Sequence, residues 1–342
     1  MSCFRTIQAL RYVKMFAAFV ASLVVIGVMA TQGFAEEVEK TESTATPSDG
    51  GYVFSYFHNN GEDGLLLATS RDAQHWTPVN AGKSMMTPEV GNTKLVRDPS
   101  IAQGADGVFH MVWTVSWTDS GFGYASSKDL IHWSEQRFIP VMSYEHRSRN
   151  TWAPEIFYDA PSDTFYIFWS STIPGRFPET AGSSEDAYNH RVYYTKTKDF
   201  KTFSQTWLYF DPGHNVIDAF LVHHANRYLL LYKDETLHPE RKTIHIAESR
   251  SPDGPFRPTG VQVSDQNWIE GPAAIQHGTG DAPYLVVFDC YAKNHYAAYL
   301  TNDFRTFTPV DDTDFPSDMR HGTIIRVNEE VLQGLLQHNT EE

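Results

Sequence analysis

Residues 97–133 read RDPSIAQGADGVFHMVWTVSWTDSGFGYASSKDLIHW, and this stretch decides the fold. Its short apolar and aromatic runs are separated by Gly, Asp and Ser, which are residues that favour tight turns. Runs of this length and composition predict three or four short strands joined by turns. An acid, Asp98, stands at the head of the first strand, and the aromatic Trp133 closes the unit four residues after Asp129.

The closing half of this unit recurs five times along the chain. Each copy carries an Asp a few residues before an aromatic side chain, and the aromatics recur at intervals of 51 to 70 residues: Trp76, Trp133, Phe203, Phe256 and Phe307. We expect the Asp to cap the turn and the aromatic to pack between sheets, which are structural roles. A period of this length built from short strands is typical of a β-propeller.

The opening half also recurs five times, but the two halves do not begin in phase. The first aromatic run, 52–57, matches the second strand of a unit, and the chain ends after a fifth strand head at His321. The last unit must therefore be completed by strands from both ends of the chain, which leaves no open sheet edge at the seam. No segment with helical periodicity is long enough for a second domain. The sequence predicts an all-β, five-bladed β-propeller over residues 51–342.

The first 50 residues lie outside this pattern. Arg5, Arg11 and Lys14 precede the mostly apolar run 15–30, which predicts a signal peptide over residues 1–35. An uncleaved membrane anchor is the alternative. Residues 36–50 are polar and lack periodicity, so they are predicted to form a disordered linker. We therefore expect an exported protein, periplasmic or secreted.

Composition narrows the class of function. The formal net charge of -15 argues against a nucleic-acid partner and suits a neutral one. There are only two cysteines, and Cys3 lies within the predicted signal peptide. An exported chain without a disulfide must be held together by its core. Cys290 lies in an apolar, strand-like run and is expected to be a buried structural thiol.

The strand heads carry the chemistry. In a propeller the first strand of each blade lines the central channel, so the five heads are expected to converge at one end of it. They supply four carboxylates and one histidine: Asp98, Glu155, Asp218, Glu270 and His321. Convergent acids raise each other's pKa and add nothing to stability, which indicates a functional site. Two carboxylates across a sugar ring, with a third acid to tune one of them, are what glycoside hydrolysis needs.

The ordered motifs resemble those of glycoside hydrolase family 43. They are Asp98-Pro-Ser, Trp152-Ala-Pro-Glu, Ile217-Asp218, Glu270-Gly-Pro and Arg320-His-Gly. Members of that family are five-bladed propellers that act as α-L-arabinofuranosidases, β-xylosidases and arabinanases with inversion. The resemblance implies that Asp98 is the general base, that Asp218 modulates the pKa of the acid, and that Glu270 is the general acid.

The same resemblance implies further site residues. His321 corresponds to a histidine that reaches the centre of the channel and, in many members, holds a structural calcium ion through water. Trp152 and Glu155 belong to the motif that shapes the substrate pocket. Apart from the resemblance, Arg320 and Trp117 lie near the strand heads in the sequence and are therefore expected to contact the sugar. The motifs depart from the family pattern at two places: Glu155 stands in place of the commoner Asp, and Ile-Asp-Ala in place of Ile-Asp-Pro. These departures bear on the subfamily, and hence on which sugar is bound, more than on the roles of the residues.

These observations lead to one functional expectation. The chain is expected to hydrolyse arabinofuranosyl or xylosyl bonds by an inverting single displacement, as a monomer that requires no cofactor. Its expected partner is a neutral, plant-type oligo- or polysaccharide, with no nucleic acid and no membrane once the signal is cleaved. Two alternatives remain open at this point: a non-catalytic carbohydrate-binding propeller, and a retaining enzyme similar to the β-fructosidases.

Overall fold

The computed structural model describes residues 50–278 and 283–338, which form five four-stranded antiparallel sheets. We number these blades by the chain order of their innermost strands. Blade 1 contains β4 (Arg97–Gln103), β5 (Phe109–Thr114), β6 (Phe122–Ser127) and β7 (Arg137–Ile139). Blade 2 contains β8 (Trp152–Asp159), β9 (Thr164–Thr172), β10 (His190–Thr197) and β11 (Trp207–Phe210). Blade 3 contains β12 (Val216–His224), β13 (Arg227–Asp234), β14 (Thr243–Ser249) and β15 (Arg257–Gln262).

Blades 4 and 5 complete the ring. Blade 4 contains β16 (Glu270–Gln276), β17 (Tyr284–Cys290), β18 (His295–Thr301) and β19 (Thr308–Val310). Blade 5 joins β20 (Arg320–Val327) to β1 (Gly51–Phe57), β2 (Leu66–Ser70) and β3 (Thr77–Pro78). The innermost strands β4, β8, β12, β16 and β20 contact one another in a closed circle. This confirms the predicted five-bladed β-propeller.

Strands from both chain ends close the ring, as the phase of the repeats predicted. β20 pairs with β1 in antiparallel register, with Ile324 opposite Phe54 and Val327 opposite Gly51. The ladder between these strands provides the seam with backbone hydrogen bonds, so no unpaired edge remains there. The core lies between adjacent blades, where aromatic side chains such as Trp113 and Trp169 are fully buried.

In four of its five copies the recurring Asp–aromatic pattern has the structural role that its sequence indicated, whereas the Asp253 carboxylate accepts hydrogen bonds from the side chains of Tyr166, Tyr194 and Lys196. Asp129 Oδ1 accepts hydrogen bonds from the backbone N–H groups of Ile131 and His132, at 2.9 and 2.8 Å. Asp72, Asp199 and Asp303 cap their turns through the same pair of downstream N–H groups. Such bonds satisfy donors that the turn would otherwise leave without partners.

A β-bulge at the head of every innermost strand positions the site. In each case two residues on the innermost strand oppose one on its neighbour, as between the pairs Arg97–Thr114 and Ser100–Val112. The other bulges lie at 152–155, 217–220, 270–273 and 320–323. A bulge inserts one extra residue and redirects the side chains around it. Because of the extra residue, successive side chains at each strand head face different parts of the channel.

The local sequence fits this bulge. The first inserted position is Asp98, Ala153, Asp218, Gly271 or His321, and the first four of these have a positive φ of 45–58°. The next residue is Pro in three blades, and Pro is tolerated there because a bulge does not need its N–H for the ladder. A non-glycine residue in this conformation costs energy, and such strain is typical of functional sites.

One α-helix follows the last strand within the described residues. Helix α1 (Glu329–His338) follows β20 and buries Leu332 and Leu335 against the core between blades 5 and 1. The sequence analysis did not predict this short helix. Within the described residues no helix is long and apolar enough to cross a membrane. The predicted signal peptide 1–35, and the predicted linker except its last residue, lie outside the described residues. Cys290 is buried and free, as expected.

Candidate active site

One cavity of about 470 Å³ opens at the head end of the innermost strands. The residue before each bulge lines it in every blade, and so does the first inserted residue in four of the five. These residues are Arg97, Asp98, Trp152, Ala153, Ile217, Asp218, Glu270, Arg320 and His321. A cavity of this size, with convergent charged groups, is the usual form of a small-molecule site.

Glu155 does not join this cavity, contrary to what its position in the motif suggested. It follows the bulge, in register with Ser100 of blade 1, and therefore lies deeper in the channel wall. Its Oε1 accepts a hydrogen bond of 2.7 Å from the Ser100 hydroxyl, which in turn accepts the Ile156 N–H. Burial raises the pKa of Glu155 to about 8, more than this hydrogen bond lowers it. The carboxylates of the cavity that come from strand heads are therefore three: Asp98, Asp218 and Glu270.

His321 lies between two of these acids. Its Nδ1 is 3.3 Å from Asp98 Oδ1 and 3.9 Å from Asp218 Oδ2. Burial alone would lower the pKa of His321, but the charges of Asp218 and Asp98 and the Asp98 hydrogen bond raise it to about 9. The ring is therefore an imidazolium near neutral pH. The close contact of Gly271 with this ring explains why blade 4 has glycine there, because a Cβ would lie only 2.4 Å from ring carbons.

Asp98 is held as a carboxylate. Its Oδ2 accepts a hydrogen bond of 2.8 Å from the Thr114 hydroxyl on the neighbouring strand. Burial would raise the pKa of Asp98, but the hydrogen bond and charge of His321, with the charge of Arg97, bring it down to about 2. Asp98 is thus ionised and can accept a proton from water.

Calcium does not fit the donor set around His321. Calcium takes oxygen ligands, and the Nδ1 of His321 is already directed at Asp98 and Asp218. Among the described residues, no group of three or more His, Cys, Asp or Glu side chains is arranged to hold a metal ion. We therefore derive no step through a metal.

Two cations hold Glu270. Its Oε2 is 3.0 Å from Lys233 Nζ, and its Oε1 is 3.1 Å from Arg320 Nη2. Arg320 also binds Asp289 through Nε at 2.8 Å. Burial would raise the pKa of Glu270, but Lys233 and Arg320 lower it below its ordinary value.

The pKa of Asp218 shifts in the opposite direction to that of Glu270. It accepts a hydrogen bond of 3.2 Å from the backbone N–H of Gly271, next to Glu270. Burial, with the charges of Glu270 and Asp98, raises the pKa of Asp218 to about 6 against the opposing charges of His321 and Lys233. Burial and the neighbouring acids thus raise the pKa of Asp218, while the two cations lower that of Glu270.

An aromatic wall bounds one side of the cavity. Trp117 is 41% exposed and meets Trp152 edge-to-face at 5.3 Å, while Trp152 Nε1 donates to the Trp117 carbonyl at 2.9 Å. The Arg97 guanidinium lies 4.3 Å from the Trp117 ring centroid and 4.7 Å from that of Phe57. A half-exposed indole beside a polar cavity presents the flat apolar surface on which a sugar ring can stack.

The long insertion between β9 and β10 forms the adjoining rim. Its residues Ser184, Glu185, Asp186 and Tyr188 line the cavity. The buried Arg191 anchors this segment through the side chains of Thr180 and Asn189, among other contacts. These contacts fix the insertion over one side of the cavity.

Sequence reasoning missed the supporting residues on the second strands. Thr114, Lys233 and Asp289 lie opposite the residues that precede the bulges, namely Arg97, Ile217 and Glu270. Each of the three holds a cavity residue through its side chain. One signal was present in the sequence, because Lys233 is a lone cation directly after the buried run 228–232.

A second cavity, of about 530 Å³, is larger but lies elsewhere. It is formed by β18 and the segment 309–319, on the outer part of blade 4. None of the strand-head residues lines it. Volume alone does not make a site, and the convergent charges lie in the cavity at the strand heads.

A propeller with convergent carboxylates in the cavity at its strand heads has the groups that cleavage of a glycosidic bond needs. A family model described as a probable glycosyl hydrolase domain, related to family 43, matches residues 48–332. The chain belongs to this family, which confirms both the family that its motifs resemble and the predicted class of enzyme, a glycoside hydrolase.

Individual relatives are distant. An α-L-arabinofuranosidase of Bifidobacterium longum subsp. longum is 23% identical over 316 residues, which cover 78% of this chain. The chain spans 29% of the length of that curated relative. A crystal structure of an exo-β-1,3-galactanase from Clostridium thermocellum matches with a TM-score of 0.57 and 13% identity, covering 82% of this chain and 62% of the other. An endo-1,4-β-xylanase from Bacteroides thetaiotaomicron matches with a TM-score of 0.51 and 13% identity, covering 80% and 92%. At these identities the two structures show the fold alone.

Proposed function

We propose that the chain is an exported glycosidase that removes arabinofuranosyl or xylosyl groups from a neutral polysaccharide by an inverting single displacement. Asp98 accepts a proton from water, whose oxygen attacks the anomeric carbon. Glu270 protonates the leaving oxygen, and Asp218 tunes and orients Glu270. The observation that carries this proposal is that three carboxylates of opposed pKa converge on one cavity.

The state of Asp98 supports its role as the base. It is ionised over the whole neutral range, and the two groups that hold its oxygens, His321 and Thr114, fix its direction. A carboxylate of such low pKa is a weak base. The oxocarbenium-like transition state of glycoside hydrolysis makes the anomeric carbon a strong electrophile, so the attacking water needs modest help.

The proton for the leaving group comes from the pair Asp218 and Glu270. Interacting acids titrate as a pair, and the apparent values belong to both. The raised pKa of Asp218, about 6, keeps one proton in the pair at mildly acidic pH. Movement of that proton to Glu270 gives the acid form that the proposed mechanism requires. We therefore expect activity to be greatest on the acid side of neutrality.

The nature of the cavity supports a neutral sugar. Its three strand-head acids are accompanied by Arg97, Arg320, the His321 imidazolium and the adjacent Lys233, so the cavity offers hydrogen-bonding groups of both signs. The wall of Trp117 and Trp152 offers a stacking surface. The relative from Bifidobacterium bears the name α-L-arabinofuranosidase, which favours the arabinofuranosyl member of the pair.

The remaining parts of the proposal concern the whole chain. We infer a signal peptide over 1–35, a linker over 36–50 and a catalytic propeller over 51–342. The protein would act outside the cytoplasm as a monomer and without an organic cofactor. Mass spectrometry of the N-terminus of the exported protein tests the cleavage after residue 35.

Hydrolysis of aryl glycosides tests the activity. The protein is incubated with 4-nitrophenyl α-L-arabinofuranoside and β-D-xylopyranoside, with Asp98→Asn as the matched variant. We expect release of nitrophenol from at least one substrate and a loss of several orders of magnitude in the variant. Glycan binding without hydrolysis of either substrate would instead identify a carbohydrate-binding propeller.

A further inference from the structure

Lys233 is a buried cation beside the cavity, next to Glu270. It occupies the position on β13 opposite Ile217, which precedes the bulge of blade 3. Its side chain is 2% exposed, and its Nζ lies 4.7 Å from the ring centroid of Tyr291. A lysine is almost never buried to this degree unless its charge is paired.

The charge of Lys233 is paired on two sides. Nζ is 3.0 Å from Glu270 Oε2 and 2.8 Å from Glu235 Oε2. Glu235 in turn pairs with Lys242, which is also buried. Glu270 and Glu235 raise the pKa of Lys233 well above its ordinary value, although burial opposes its charge. The result is a row of alternating charges that leads from Lys242 to Glu270.

Glu270 is thus held at both oxygens, by Lys233 from blade 3 and by Arg320 from blade 5. The other charged or titratable groups that influence it from the surrounding strands are Asp218, Asp289, Tyr291 and His321. The acids Asp218 and Asp289 oppose ionisation of Glu270, whereas His321 favours it, as Lys233 and Arg320 do. Lys233 is the nearest buried cation, and it fixes the direction of the carboxylate as well as its charge.

We propose that Lys233 is a positioning residue, which orients Glu270 and stabilises the carboxylate that remains after Glu270 gives its proton to the leaving oxygen. This inference rests on the proposed function and deepens it. In the step concerned, the bond between the anomeric carbon and the leaving oxygen breaks while that oxygen takes the proton of Glu270. Water adds to the anomeric carbon and loses its proton to Asp98, so the reaction consumes one water.

The position of Lys233 implies a specific dependence on the leaving group. A good leaving group such as dinitrophenolate departs with little help from an acid, whereas an alkoxide needs the proton. Removal of the lysine charge makes Glu270 a weaker acid, since the carboxylate product loses its partner. The loss should therefore be large for alkyl glycosides and small for dinitrophenyl glycosides.

The kinetic test compares Lys233→Met with the wild type and with Lys128→Met, which removes a cation from an exposed turn. For an alkyl glycoside we expect a loss of about 10- to 100-fold in kcat, the range for losing a hydrogen bond to a charged group. For the dinitrophenyl glycoside we expect less than about threefold. The alkaline limb of kcat/KM should move to higher pH, because the acid keeps its proton longer without the lysine. Lys233→Arg should restore the limb, and Lys128→Met should match the wild type.

An equal loss for both substrates, with an unmoved alkaline limb, would overturn the inference and indicate a role in folding alone. Circular dichroism shows whether Lys233→Met folds. If it does not, the neutral Lys233→Gln, which keeps an N–H donor, replaces it in the same comparison.

A titration separates this inference from the proposed activity. Carbon-13 NMR of protein labelled at the Glu carboxyl groups follows Glu270 directly, with Glu270→Gln to assign its signal. The signal should titrate at higher pH in Lys233→Met or Lys233→Gln than in the wild type. If the wild type hydrolyses no glycoside, the proposed function fails while this titration still decides the role of Lys233. An unchanged titration contradicts that role.

Discussion

Neutralising Glu155 should stabilise the protein, which is unusual for a carboxylate in a strand-head motif. The side chain is 6% exposed in the channel wall and has the Ser100 hydroxyl as a partner for one oxygen. Burial raises its pKa to about 8 from an ordinary 4.5. A raised pKa in an acid means that ionisation favours the unfolded chain, so the penalty begins near pH 4.5 and grows until about pH 8.

The magnitude follows from these two values. At pH 7, about 2.5 units above the ordinary pKa, ionisation of Glu155 stabilises the unfolded chain by about 1.4 kcal/mol for each unit. The folded chain keeps most of its Glu155 protonated at this pH, so the free energy of unfolding is lower by about 3 kcal/mol. Glu155→Gln has nearly the same shape and its side-chain oxygen still accepts the Ser100 hydrogen bond. The variant should gain about 3 kcal/mol at pH 7 and almost nothing at pH 4.

Urea denaturation followed by tryptophan fluorescence, at several pH values between 4 and 8, measures this gain. Glu135→Gln, which neutralises an exposed carboxyl, is the matched control and should show no such dependence on pH. Glycosidase activity should change little in Glu155→Gln, because Glu155 does not line the cavity. A variant that is less stable at every pH, or whose gain does not depend on pH, would refute the argument.

Three further changes test other parts of the structure. Thr114→Val removes the hydroxyl that donates to Asp98 and accepts the Ala153 N–H, so we expect a loss of about 2–4 kcal/mol in unfolding free energy. Because the pKa of Asp98 rises without this hydrogen bond, the acid limb of kcat/KM should move to higher pH. Thr114→Ser should restore both properties. Asp129→Ala removes a turn cap and should cost about 1–2 kcal/mol by thermal or urea unfolding while leaving kcat unchanged; a lower kcat would contradict a purely structural role. Trp117→Ala should weaken substrate binding by about 0.5–1.5 kcal/mol, seen as a higher KM at nearly constant kcat, and a selective fall in kcat would argue against stacking.

The blade count could be read from the sequence because it depends on local patterns. Short aromatic strands, turn-capping acids such as Asp129 and strand heads repeat at a steady interval, and each signal lies within a few residues. The composition of blade 5 was also predictable. The chain begins at the second strand of a repeat and ends after a first strand, so a closed ring requires these strands to share one blade. The short helix α1 was missed, although Asn328 accepts the Val331 N–H at its start and Leu332 and Leu335 follow at helical spacing.

The detailed site could not be read in the same way. A bulge inserts one residue without a clear sequence signal, so Glu270, Asp98 and Glu155 look equivalent in the motifs but occupy different positions: before the bulge, within it and after it. These positions place Glu270 and Asp98 in the cavity and Glu155 behind it. The partners of these acids depend on pairing with the second strands, as for Lys233, and sequence order does not reveal such pairing.

The balance of charge in the site likewise depended on the fold. The family resemblance implied that Asp218 would modulate the pKa of Glu270. The structure adds Lys233 and Arg320 on the two oxygens of Glu270, and these cations outweigh the acids. The pKa of Asp218 is raised instead, because its burial and the charges of Glu270 and Asp98 outweigh the opposing charges of His321 and Lys233.

The configuration of the first product tests the central proposal most directly. Time-resolved proton NMR during hydrolysis of an aryl α-L-arabinofuranoside or β-D-xylopyranoside identifies the anomer that forms before mutarotation. A single displacement by water activated at Asp98 predicts the inverted anomer. Appearance of the retained anomer first would contradict the proposed mechanism and require a covalent glycosyl-enzyme intermediate.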